Sequence, residues 1–298
     1  MSGMTDAAAG IEPELGLVPT EAKIARREML SQLARSKTLI AGAVLAGFWV
    51  FWAIVGSRLT PDDPLAQSDA ILLGPGAGHW FGTDSLGRDV LSRVLAGATD
   101  TMKVAPLATL LGIAGGTTLG LITGYFRGWV DDTVSRMIDA VLALPLVVIA
   151  VMALVALGSS NVTLIIVIGV VFTPIVARTV RATVLGEREL DYVSAAKLRG
   201  ERAPYIMFAE ILPNIVGPIV VEATVRLGYA IFAVAGLTFL GFGVQPPSPD
   251  WSLQIADNYT LLNAGTYEWT VLFPAIAIAT LIVGVNLIAD GLQQVIDR

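Results

Sequence analysis

Apolar residues gather along this chain in long blocks separated by short polar segments. Thr38 to Ser57 carries no charge, Val104 to Phe126 is a second uncharged run, and Ala140 to Ala177 is a third. A helix crossing a bilayer needs roughly 20 mostly apolar residues. The third run is too long for one crossing and predicts two, joined by a tight polar turn at Gly158-Ser159-Ser160-Asn161. Runs from about Pro213 to Gly236 and from Trp269 to Ala289 complete a prediction of six transmembrane helices in an all-α, polytopic membrane protein. The loops agree: Pro61-Asp62-Asp63-Pro64 follows the first span and Pro246-Pro247-Ser248-Pro249 the fifth. Pro145 and Pro174 each remove a helical hydrogen bond and predict kinks in spans three and four. In span two, Gly112, Gly115, Gly116, Gly120 and Gly124 recur about four residues apart. That spacing suits close helix packing, with pore lining as the other reading.

Composition sharpens this picture. Of 298 residues, 54% are hydrophobic and 15% charged, against about a quarter charged in soluble domains, so lipid must solvate much of the surface. The chain has no cysteine and one histidine, His79. Disulfides and thiolate metal sites are excluded, and a His-based zinc site is not expected. No Ser/His/Asp set can be assembled within the membrane, so no catalytic residue is assigned. No basic face is available for nucleic acid.

The basic residues orient the spans. With the N-terminus inside, the inner segments hold Lys23, Arg26, Arg27, Arg35, Lys37, Arg127, Arg136, Arg178, Arg181, Arg188, Lys197, Arg199, Arg202 and Arg298. The outer segments hold only Arg58, Arg88, Arg93 and Lys103. Both termini are therefore expected in the cytoplasm of a multi-pass inner (cytoplasmic) membrane protein. Residues 1–20 lack a signal-peptide pattern and read as a tail. Glu21 to Arg35 carries Ala22, Ala25, Met29 and Leu33 on one side, which fits an interfacial elbow helix or a solvated one. The expected division is a tail and elbow over 1–36 and a transmembrane domain over 37–298.

Three groups of polar residues are candidates for function. The largest inner loop, from Arg178 to about Glu210, stays charged and helix-prone between two spans. Ala195-Ala196 and then Gly200 give it a small-residue face, Tyr192, Leu198 and Tyr205 flank that face, and charges rim it. This is the profile of a short helix docking in a partner's groove, the alternative being a solvated connector. In the outer segment, Asp84, Arg88, Asp89 and Arg93 are spaced for ion pairs on a helix face. They could meet a partner or only one another. Deep in span five, Glu222 and Arg226 lie four residues apart and can pair. They could line a pathway, or form a buried pair packed against a partner helix.

The inner loop resembles the EAA loop of ABC importer permeases through Ala195, Ala196, Gly200, Leu212 and Pro213, with Ser194 where that pattern usually has Glu. His79-Trp80-Phe81-Gly82-Thr83-Asp84-Ser85-Leu86-Gly87-Arg88-Asp89-Val90-Leu91-Ser92-Arg93 resembles the outer signature of C-type permeases of the oligopeptide/dipeptide (and nickel) importers. Gly124-Tyr125 with Gly128, Asp131, Arg136, Asp139 and Pro145, the stretch Phe239 to Trp251, and Leu272 to Leu292 are similar to later segments of that family, in the same order. The resemblance implies a type I ABC importer permease fold forming half of a pathway for short peptides. It also implies a coupling helix at about 188–205 that docks through Asp191, Tyr192, Ser194, Ala195, Ala196, Lys197, Arg199, Gly200 and Pro213. The partners implied are a homologous B-type permease, two ATPase subunits carrying ATP and Mg, and an extracytoplasmic substrate-binding protein, all beside membrane lipid. No phosphate-loop pattern occurs in this chain, so no cofactor is expected in it. The rival class is an ion-coupled secondary transporter, which needs intramembrane ionisable groups and usually internal repeats. Only Glu222 and Arg226 meet the first requirement, and no repeat is evident.

Overall fold

The computed structural model describes residues 31–296. The tail and residues 21–30 of the expected elbow lie outside the described residues. Nine helices carry the architecture. They are α1 (Lys37–Leu59), α2 (Val90–Phe126), α3 (Gly128–Leu142), α4 (Leu146–Leu157), α5 (Asn161–Glu187), α6 (Asp191–Leu198), α7 (Val216–Phe239), α8 (Trp251–Asn258) and α9 (Trp269–Ile296). A six-residue π-helical segment, Ile206–Ile211, lies between α6 and α7. Side chains cap four N-termini: Ser36 on α1, Asp89 on α2, Ser160 on α5 and Asp250 on α8, each supplying an acceptor to otherwise unpaired amides.

Five helices (α1, α2, α5, α7 and α9) are long and apolar enough to span a bilayer, and α3 with α4 forms a sixth unit bent by 85°. The bend corrects the expected kink. Pro145 lies at the N-cap of α4 and ends the preceding helix outright, because its ring and missing amide leave no way to continue. Pro174 stays inside the continuous α5. With 12 residues, α4 is only about 18 Å long, so span three is shorter and more broken than its sequence suggested. The turn at Gly158 to Ser160 forms as expected, with Gly158 at φ +84°.

The glycines of span two pack. Cβ atoms at Gly112, Gly116, Gly120 and Gly124 would lie 3.0, 2.4, 2.7 and 2.7 Å from the Cβ atoms of Phe172, Val176, Val180 and Val184. The sequence offset is the same at every step, so α2 and α5 run parallel in fixed register. The chain must therefore cross back between them, and α3–α4 makes that return.

Two clusters form the core. One surrounds Trp49, Val94, Leu164, Ile231, Trp251 and Leu281 toward the outer half. The other joins Leu121, Val180, Val184, Val193, Ala196, Ile206, Met207, Ile211 and Ile215 at the inner end. Burial of an apolar side chain stabilises by roughly 1.5–3 kcal/mol, so the inner cluster holds α6 and the π segment against the spans.

Candidate functional site

At the inner end, α6 is shorter than the expected 188–205 and divides into two faces. Val193 and Ala196 are buried in the inner cluster, while Asp191, Ser194, Ala195 and Leu198 face outward. The spacing of three and four residues makes the latter one helical face, and Leu198 is 90% exposed at its tip. The small-residue face is thus corrected: Ala195 belongs to the free surface and Ala196 to the chain's own core. Gly200 ends the helix at φ +79°, a left-handed conformation that glycine adopts without strain. Its conformation accounts for glycine there, with no close approach required.

Ion pairs and hydrogen bonds tie this helix to the spans. The Arg188 guanidinium donates to the Tyr125 carbonyl at 2.6 Å, closing the inner end of α2. Lys197 lies 5.7 Å over the Tyr125 ring, and Arg199 donates to Glu210 at 2.8 Å. The Tyr192 hydroxyl donates to Glu187 at 2.7 Å. Burial, reinforced by that hydrogen bond to the carboxylate, pushes Tyr192 up to about 12. Pro213 sits in the short turn Leu212–Asn214 that leads into α7.

On the inner half of α7, Arg226 Nε donates to Glu222 Oε1 at 2.6 Å, the pair expected from their spacing. Both side chains are largely shielded, and the guanidinium also lies 5.3 Å over the Tyr229 ring. Arg226 is the one charged lining residue of an otherwise apolar cavity of about 340 Å³ walled by α4, α5 and α7, with Ile168, Phe172, Phe232 and Leu240 among its walls.

The outer end overturns one expectation. Asp84, Arg88, Asp89 and Arg93 are all buried, so they offer no charged face to a partner. Asp84 and Arg88 precede α2, in a loop that folds back on itself. Asp84 Oδ1 accepts from the Leu86 and Arg88 amides, and Arg88 Nε donates to Oδ2 at 2.7 Å. Arg93 Nε is 3.5 Å from the same oxygen. Its other nitrogens donate to the carbonyls of Pro64 and Ser248, each at 3.3 Å. Asp89 caps α2 through the Ser92 amide at 2.7 Å, and its other oxygen lies 2.9 Å from His79 Nδ1. Asp62, His79 and Asp89 bring one potential ligand atom each within 4.8 Å of one another, but Asp89 is already committed to the cap and to His79. Tryptophans complete this outer frame: Trp251 Nε1 donates to the Val94 carbonyl at 2.6 Å and Trp269 Nε1 to Thr83 at 3.1 Å. Beside it, an open hollow of about 630 Å³ is lined by Arg58, Asp62, Asp63, Asp100 and Lys103 among others.

Comparison with known proteins places these features in a family. The family described as "Binding-protein-dependent transport system inner membrane component" matches residues 116–298. The dipeptide transport system permease protein DppC of Alkalihalophilus pseudofirmus is 38% identical, over 91% of this chain and 89% of its own length. The glutathione transport system permease protein GsiD of Pectobacterium atrosepticum is 34% identical, over 86% of each. The di/tripeptide transport system permease protein DppC of Pseudomonas aeruginosa is 33% identical, over 91% of each. The chain belongs to this family, among its C-type permeases: it is a membrane-embedded permease subunit of an ABC importer, a transport component and not an enzyme.

Proposed function

We propose that this permease carries short peptides inward and is driven through α6 by separate ATPase subunits. The observation that carries the coupling reading is the outward face of α6. Asp191, Ser194, Ala195 and Leu198 form a compact surface with an exposed leucine at its tip, on a helix anchored to two spans. An apolar anchor rimmed by charge fits a partner's groove better than it fits water. The peptide cargo is supported by the dipeptide, di/tripeptide and glutathione permeases among the relatives.

In this reading both termini are cytoplasmic, which the excess of inner Lys and Arg supports, and residues 1–36 form the tail and elbow. A homologous B-type permease supplies the other half of the pathway, two ATPases carry ATP and Mg, and an extracytoplasmic binding protein delivers cargo. The binding protein meets the outer hollow around Arg58, Asp63 and Lys103, while Asp84, Arg88, Asp89 and Arg93 hold that face in shape. Glu222 and Arg226 face the pathway: a charged pair in lipid costs several kcal/mol, and Arg226 already opens onto a cavity.

The test is uptake of labelled dialanine into proteoliposomes holding the assembled complex. ATP-dependent uptake that is lost with Leu198→Asp, in complexes whose two permeases still assemble, is the expected result. Uptake driven by an ion gradient without ATP would overturn the reading.

A further inference from the structure

Helix α3 lies across the spans, where their apolar parts end on the inner side. The charge-free run of α5 stops at Ala177, and the first two charges beyond it hold α3. Arg178 pairs with Asp139, and Arg181 donates to both oxygens of Asp131, at 2.5 and 2.6 Å. Asp131 and Asp139 are about 12 Å apart along α3, whereas Arg178 and Arg181 are only about 4.5 Å apart along α5. The two helices therefore cross rather than run side by side. The 85° bend into α4 agrees: with α4 crossing the bilayer, α3 lies near its plane.

The sides of α3 differ. Asp131 and Ile138 are buried against the chain itself. Trp129, Met137 and Val141 are exposed, Trp129 at 79% and Met137 at 65%. Asp132 and Arg136 are exposed on a third side. A flat amphipathic helix with a tryptophan at its apolar edge is the form that seats at a membrane surface. Where the polar and apolar sides meet, an open hollow of about 490 Å³ is lined by Trp129, Asp132, Thr133, Arg136, Met137 and Ala140. Asp132 and Arg136 stand four residues apart, a spacing at which opposite charges on a helix commonly pair. Among the described residues neither makes an ion pair or a hydrogen bond. Water alone could cover these two charges, but it is a poor cover for the indole and thioether beside them.

We propose that α3 lies in the inner headgroup layer and that its hollow holds a phospholipid of the phosphatidylethanolamine class. The Arg136 guanidinium takes the phosphate in a charge-assisted hydrogen bond. The Asp132 carboxylate accepts from the ammonium group, and Trp129 and Met137 cover the start of the acyl chains. A zwitterionic headgroup matches a hollow that offers one charge of each sign, whereas a purely anionic one would bring like charge to Asp132. Through its two ion pairs to α5, a seated α3 fixes the depth at which the inner end of that helix stands. The inference needs neither the cargo nor the pathway reading.

The test uses Met137→Cys carrying a bimane label in the fully assembled complex, its other subunits freed of reactive cysteines; this chain has none of its own. The complex is reconstituted in phosphatidylcholine vesicles containing a small fraction of nitroxide-bearing lipid. A nitroxide near the top of the acyl chain should quench the label most. Strongest quenching by a nitroxide near the chain end would mean that α3 plunges into the bilayer, and no quenching at either depth would mean that protein covers this face. Either result overturns the inference. The headgroup is tested by placing the chain-top nitroxide on phosphatidylethanolamine or on phosphatidylcholine. The ethanolamine lipid should reach half-quenching at about fivefold lower mole fraction, as one net hydrogen bond is worth. Asp132→Asn should erase that preference, Arg136→Gln should weaken quenching by both lipids, and Arg136→Lys should restore it. Equal quenching by the two lipids in the parent overturns the headgroup assignment. If Met137→Cys does not assemble, Ala140→Cys in the same hollow carries the label.

Discussion

The two ends of this molecule use the same residue types to opposite effect. At the outer end, Asp84, Arg88, Asp89 and Arg93 are buried: Asp84 holds both arginines, Arg93 reaches two carbonyls, and Asp89 caps α2 and meets His79. At the inner end, Asp191, Lys197 and Arg199 stay in the open around an exposed leucine. The outer charges are covered by segments of the same chain, and the inner ones stand on an open surface. Charge spacing along the sequence does not separate these cases. What separates them is whether distant segments return to cover the charges, as Ser248 returns to Arg93.

That contrast can be broken most forcefully at Arg93. Arg93→Met removes a fully buried cation held by Asp84 and two carbonyls. Loss of one partner from a buried pair costs about 3–5 kcal/mol, so the purified variant should melt far below the parent in detergent. An unchanged melt would mean that the outer network is decorative.

At the inner end the expected signs reverse. Leu198→Asp should leave the chain's own stability within about 0.5 kcal/mol while weakening ATPase association by about 2 kcal/mol, roughly 30-fold. Affinity for the isolated ATPase, measured beside a melt of the permease alone, separates the two effects. Ala196→Glu should do the opposite and unsettle the permease itself, because Ala196 lies in the inner core.

A pH titration sharpens the outer side. Burial pushes Asp250 up to about 6, against an ordinary value of 3.8. Oδ1 caps α8 through the Ser252 and Leu253 amides, and Oδ2 has no hydrogen-bond partner among the described residues. The folded state therefore prefers the protonated acid. Its contribution is fully present below about pH 4 and is lost as pH rises through about 6, on the order of 3 kcal/mol in all. Asp250→Asn should flatten that part of the melting-temperature profile. The smallest effect belongs to Tyr192→Phe, which deletes the hydrogen bond to Glu187 and should cost about 1 kcal/mol.

Much of the fold was legible because spans advertise themselves: five of the six uncharged runs, the Gly158–Asn161 turn and the Glu222–Arg226 spacing appear in the structure as read. What sequence could not give was direction around a helix axis. Ala195 and Ala196 look alike in sequence, yet only Ala196 meets Val193 and the π segment. Pro145 looked like Pro174, but Pro174 lies within a helix braced along α2 by the glycine register, whereas Pro145 stands where the chain must turn. The register of α7 against α9, set where Gly228 meets Asn286, is likewise encoded by no local pattern.

The glycine seam between α2 and α5 also has a mechanical consequence. With valine Cβ atoms seated directly on glycine backbones, neither helix can ratchet past the other by a turn. The two behave as one stiff strut of about 40 Å over the 27 residues of α5, and α6 sits at its tip. On the other side of α6, the Ile206–Ile211 segment is wound wider than an α-helix, with i→i+5 in place of i→i+4 hydrogen bonds. A push on the inner end would thus tilt the strut whole rather than slide one helix along the other.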